Sequence, residues 1–244
     1  MIRFFRHIRR ALINQNQMGK YFKYAIGEVL LVVIGILIAL QVNNWNLAAK
    51  NSEIEQQFLS QLQADTEISI EQLDLKIRAI KNSKEWDSLV LREIQVKTAG
   101  INNDSLLFLV TGYFAPPTFD PEDGTIKSIL GAGQLDLISN QELRNYISSW
   151  ESYLNDTKEI ENLLTDFFFN QKKTYLRKYV PFRNRRMASH GKSEYGYDFD
   201  EILSDLEFEN IINQSWVFNT VLLNRYEDLR GKMTHSLSLI QQGN

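Results

Sequence analysis

The sequence predicts an all-α protein: a single N-terminal transmembrane helix followed by an extracytoplasmic bundle of long helices. Three observations carry this. Residues 25–42, AIGEVLLVVIGILIALQV, hold only Glu28 and Gln41 as polar residues. No Gly or Pro interrupts the chain between Gly35 and Gly100, and apolar residues there recur at helical intervals. No stretch alternates apolar and polar residues between hairpin turns, as paired strands would require.

The apolar run sets the organisation. Eighteen residues of helix rise about 27 Å, close to the shortest length that spans a bilayer. Residues 1–24 carry Arg3, Arg6, Arg9, Arg10, Lys20 and Lys23 and no acid. Residues 45–244 hold the other 21 of the 27 basic residues and 29 of the 30 acids, a net −8. Short basic flanks stay cytoplasmic, so the N-terminus is expected inside and the large domain outside, in the periplasm of a bacterium. A cleaved signal peptide is the rival. It would have a shorter apolar region ending in a small-x-small site, whereas this run ends Leu40-Gln-Val-Asn43. The expected division is a basic cytoplasmic segment (1–23), a transmembrane helix (24–45) and a periplasmic helical domain (46–244), in a single-pass protein of the bacterial inner membrane.

Each segment then has its own signal. Ile2, Phe5, Ile8 and Leu12 fall at helical spacing among Arg3, Arg6, Arg9 and Arg10. Two readings follow from these residues: an amphipathic helix whose arginines contact anionic headgroups, or charges that only set topology. Membrane lipid is a partner in the first, and nucleic acid is not expected in either. Tyr21, Phe22, Tyr24 and Trp45 stand where interfacial aromatic belts belong.

Beyond the span, Ile54, Phe58 and Leu62, then Ile70, Leu73, Ile77 and Ile80, form one apolar seam. Asn43-Asn44 and Asn82-Ser83 are the two places where this helix could break. Residues 98–124 gather Pro116, Pro117 and Pro121 with three glycines, and predict irregular structure. Asp104 can cap a short helix over 105–111. A second short helix is expected to begin after Thr125 and to end at Gly131-Ala-Gly133 in a C-cap and tight turn.

Ser139-Asn-Gln-Glu142 reads as a capping box. The helix after it carries Leu143, Tyr146, Ile147, Trp150, Tyr153 and Leu154, and is expected to continue towards Pro181. Residues 183–198 read as a polar loop. A last helical region spans about 200–242, with an interruption near Asn213 considered, and its stripe includes Trp216, Leu223, Tyr226, Leu229, Met233 and Ile240. Trp86, Trp150 and Trp216 are expected to anchor the core.

Chemistry is hard to find. The chain has no Cys, which excludes thiol catalysis and Cys-ligated metal. His7, His190 and His235 are far apart, and no zinc motif contains them. Asp198, Asp200 and Glu201 show no EF-hand spacing. Asp120, Glu122 and Asp123 lie in a Pro/Gly loop and read as turn and cap residues. No catalytic, metal or cofactor residue is expected, and no cofactor.

On the transmembrane helix, Glu28, Val32, Gly35 and Ala39 share one face with Ala25 and Val42. Small residues let helix backbones approach closely, so this face is the expected packing face for another transmembrane helix. Glu28 either meets a partner there or reaches the inner interface, where Lys20 and Lys23 neutralise it.

The stretch MIRFFRHIRR…KYFKYAIGEVLLVVIGILIALQVNNWN resembles a family of uncharacterised single-span proteins of Gram-negative bacteria, known as a domain of unknown function. The resemblance rests on Tyr-Ala-Ile-Gly-Glu (24–28) and Ile-Ala-Leu-Gln-Val-Asn-Asn-Trp (38–45). It extends more weakly to the glycine-turn segment 125–138 and to Asn140-x-Glu-Leu-Arg144. It implies an inner-membrane protein with a helical extracytoplasmic domain, and no activity. The functional expectation is a non-enzymatic, membrane-anchored periplasmic interaction or scaffold module, an accessory subunit of an envelope complex. Its partner would be a second copy or another inner-membrane protein. The alternative is a periplasmic helical sensor that binds a small ligand and signals through a membrane partner.

Overall fold

The structure is a computed structural model, and it describes residues 18–96, 103–112, 115–184 and 191–243. All regular elements among these are helical. The basic segment with Arg3, Arg6, Arg9 and Arg10 lies outside the described residues.

Helix α1 is Met18–Val96. Neither Asn43-Asn44 nor Asn82-Ser83 breaks it. Ser88 Oγ donates back to the Lys84 carbonyl at 2.9 Å, so the hydroxyl follows the helical ladder rather than competing with it. The chain forms two compact units, Met1–Glu55 and Gln56–Asn244. In the first, the side chains of the apolar run are largely exposed, from Val33 at 44% to Val29 at 62%.

The second unit is built on three long helical stretches. One is α1 from Gln56. Its buried seam is Leu59, Leu62, Thr66, Ser69, Leu73, Ile77, Ile80, Asp87, Val90 and Ile94, mostly three or four residues apart. Leu62, Leu73, Ile77 and Ile80 are the positions the periodicity singles out. Ile70 and Phe58 pack half-buried beside them.

Short helices α2 (Asn103–Thr111) and α3 (Gly124–Gly131) follow. The start of α3 is held from α1: Asp65 Oδ2 accepts from both the Thr125 amide (3.1 Å) and the Thr125 hydroxyl (2.7 Å). Asp123 occupies the cap position, but its side chain does not cap and pairs with Lys127 at 2.8 Å instead. Helix α3 ends as expected. Gly133 has φ +64°, its amide donates to Leu130 O, and Gln134 N donates to Ile129 O, which closes a Schellman turn.

The second long stretch is α4 (Gln141–Phe167), a π turn (Phe168–Lys172) and α5 (Lys173–Tyr179). Asn140, not Ser139, caps α4: its side-chain oxygen accepts from Leu143 N at 3.1 Å. The chain then turns through Phe182–Asn184 and the single turn α6 (Phe199–Ile202), which Asp198 caps.

The third long stretch, α7 (Leu206–Gly243), is continuous through Asn213. The interruption falls earlier, at 203–205, where Asp205 accepts the Glu207 and Glu209 amides through its side chain and carbonyl. Contacts fix the register. Asp74 meets Arg230 and Asp87 meets Ser215, so α7 runs antiparallel to α1. Phe167 meets Phe218 and Glu161 meets Tyr226, so it runs antiparallel to α4 as well. Trp150 is buried, while Trp86 and Trp216 are only half-buried. Both lie at the edge of the core, with Trp216 Nε1 donating to Ser88 Oγ at 3.0 Å.

Candidate functional site

The expected packing face sits in the first unit. Val32 is 54% exposed, Glu28 is half-buried, and Gly35 and Ala39 are exposed. A Cβ added at Gly35 would meet nothing within 4 Å. No residue of the most apolar eighteen-residue window is buried by this chain, and the helix is long and apolar enough to cross a membrane. This geometry fits a membrane anchor.

The second unit holds an arrangement that the apolar pattern did not reveal. Asp87 of α1 is almost fully buried. Its Oδ1 accepts from Lys172 Nζ at 2.8 Å. Its Oδ2 accepts from Ser215 Oγ at 2.7 Å and Asn219 Nδ2 at 2.8 Å. Ser215 Oγ also accepts from Lys172 Nζ at 3.0 Å. All four residues are buried, and they come from all three long stretches. Desolvating a charge is costly unless it is paired and hydrogen-bonded, and here the carboxylate receives three donors.

The π turn places the lysine. At 100° per residue, Lys172 on an uninterrupted α-helix would stand about 80° round from Leu164, which faces the core. The wide turn takes up one extra residue, and this brings Lys172 back to within about 20°. The Lys173 amide bonds five residues back to Phe168 O, and the Thr174 hydroxyl donates to Phe169 O at 3.1 Å.

A cleft of about 40 Å³ lies over this cluster. Asp87, Lys172, Ser215 and Asn219 border it together with Trp86, Phe168, Leu164, Gly112 and the strap Ala115–Pro117. Gly112 needs its glycine, with φ +49°.

The strap is fastened by a second buried pair that does not line the cleft. Glu161 Oε1 accepts from Phe119 N at 2.9 Å and from the Tyr226 hydroxyl at 2.8 Å. That hydroxyl also lies 3.1 Å from Pro117 O. Burial pushes the Glu161 carboxyl above the usual range, partly offset by its bonds from Tyr226 and Phe119. Burial beside Glu161 also raises the Tyr226 hydroxyl. Elsewhere Arg230 clasps Asp74 through two nitrogens and holds its carboxyl below the usual range.

Of the acidic groups weighed from sequence, Asp198 caps α6, and Ser69 Oγ receives the Glu122 amide at 2.9 Å. Among the described residues no group of three or more His, Asp and Glu is arranged to hold a metal ion.

No curated protein and no solved structure matches the chain. The model of one family does match, over residues 28–172. This covers more than half of the sequence, from within the apolar run to the end of the π turn. The chain therefore belongs to DUF6090, a family of unknown function.

Proposed function

We propose that this chain is a non-enzymatic, membrane-anchored interaction module, an accessory subunit of an envelope complex in a Gram-negative bacterium. One observation supports it above all: the apolar run is exposed on every side, whereas the helices of the second unit bury a single stripe each. A helix that is apolar all round needs a non-aqueous cover. In this reading the inner membrane supplies it, the basic start stays in the cytoplasm, and residues 46–244 occupy the periplasm. The motifs at 24–28 and 38–45 mark the two ends of the span. The face of Glu28, Val32, Gly35 and Ala39 packs against a second copy or another inner-membrane protein, because small residues allow close backbone approach there. Arg3, Arg6, Arg9 and Arg10 contact lipid headgroups.

The test is topology followed by association. A periplasmic reporter fused after Asn244 is expected to be active and a cytoplasmic one silent; the reverse pattern refutes the orientation. In-membrane cross-linking from the Gly35 face is expected to trap a second helix, and Gly35→Leu to abolish this while Ile34→Ala does not. If Gly35→Leu leaves the association intact, the face is lipid-exposed and the packing role is refuted.

A further inference from the structure

The cleft over Lys172 is more than the buried ion pair requires. Fastening helices together needs no open space above the charges. Here the polar floor borders a volume of about 40 Å³, room for roughly three or four waters' worth of atoms. The hydrogen-bond inventory of that floor is unbalanced. Among the described residues, Lys172 places two of its three N–H donors, on Asp87 and Ser215. Asn219 has two and uses one, on Asp87. Asp87 already accepts three bonds. Among the described residues the floor is left with an ammonium N–H and an amide N–H as donors, and the Asn219 carbonyl oxygen as acceptor. Its formal charge is zero. The walls are Trp86, Phe168, Leu164 and the two prolines of the strap, with Ser83 and Thr111 also on the lining.

We propose that this cleft binds a small uncharged carbonyl group, with a primary amide as the best match. The carbonyl oxygen accepts from Lys172 and Asn219, and the amide nitrogen donates to the Asn219 oxygen. A carboxylate would bring a second negative charge beside Asp87 where little water screens it. An ammonium ion would face Lys172. Size limits the occupant to a few heavy atoms, either a whole small molecule or the amide end of a longer one entering from the open side. The inference goes beyond the anchoring role and does not depend on it.

The full chain in lipid nanodiscs is titrated with acetamide, acetate and methylammonium. Saturation transfer to each methyl group is followed by NMR. Acetamide is expected to give a saturable signal with a Kd of about millimolar order, as four heavy atoms allow. Acetate and methylammonium are expected to give none. Ala115→Leu, which fills the cleft and leaves the ion pair intact, is expected to weaken the acetamide signal at least about tenfold, and Lys172→Met to do the same where it folds. Circular dichroism confirms that Ala115→Leu is folded. The proposal is overturned if acetamide does not saturate, if acetate or methylammonium binds equally well, or if folded Ala115→Leu binds acetamide as the unsubstituted chain does.

Discussion

Two regions of one helix show how differently apolar residues can be used. Over 25–42, α1 is apolar on all faces, and its side chains meet almost nothing of this chain. From Gln56 onward the same helix is polar on most faces. It buries one seam, and that seam includes Thr66, Ser69 and Asp87. Apolarity all round asks for a uniform solvent, which lipid provides; a stripe asks for a matching protein surface. The contrast also explains where polarity is tolerated. Asp87 can be buried because Lys172, Ser215 and Asn219 arrive from two other helical stretches to receive it.

The largest expected effects come from the second region. Lys172→Met leaves Asp87 buried and charged, and should cost about 3–5 kcal/mol of stability in chemical denaturation. Replacing both partners, as Asp87→Leu with Lys172→Met, should cost clearly less than the sum of the two single changes. Additive costs would mean that the two groups do not act as a pair. Trp150→Ala belongs in the same range, about 3–5 kcal/mol, since the ring is buried. Trp216→Ala should cost less, because that ring is half exposed.

These contrasts also show what could be read beforehand. Leu62, Leu73, Ile77 and Ile80 are legible because each apolar residue in a helical period has one simple explanation, burial. The Schellman turn at Gly133 is legible because glycine is the residue a left-handed turn needs. The polar cluster is not. Ser215 and Asn219, one turn apart, look like a solvated face until the helix phase is known. Lys172 cannot be phased at all from an α-helical period, because it closes a π turn. The cap at Asn140 rather than Ser139 is a choice between adjacent capable residues, settled by one hydrogen bond. The break at 203–205 rather than near Asn213 follows from Asp205, which supplies both a side-chain and a carbonyl acceptor to the first turn of α7.

Smaller effects separate by their pH dependence. Glu161 is raised in the folded state, so its favourable contribution is full below the ordinary carboxylate range and is lost as pH rises through the raised value. Glu161→Gln stays neutral throughout. The stability of the unsubstituted chain relative to this variant should therefore fall between acidic and neutral pH. A rising difference contradicts the assigned cause. Asp74 is lowered by Arg230 and behaves oppositely: its contribution is present above the ordinary carboxylate range and is lost as pH falls through the lowered value. The pair is partly exposed, so Arg230→Met should cost only about 0.5–1 kcal/mol at neutral pH. The smallest effect belongs to the first region. Ile34→Ala should change the unfolding of the second unit by less than about 0.5 kcal/mol, because its side chain takes no part in that core.

The central claim is that residues 25–42 hold the chain in a bilayer while residues 56–244 fold around their own core. Cell membranes carrying the full chain, washed in alkaline carbonate, test it most directly, with a variant lacking residues 1–45 beside them. The account predicts that the full chain stays in the membrane pellet, and that the shortened chain is released, soluble and predominantly helical by circular dichroism. A full chain that washes off, or a shortened chain that is unfolded, contradicts it.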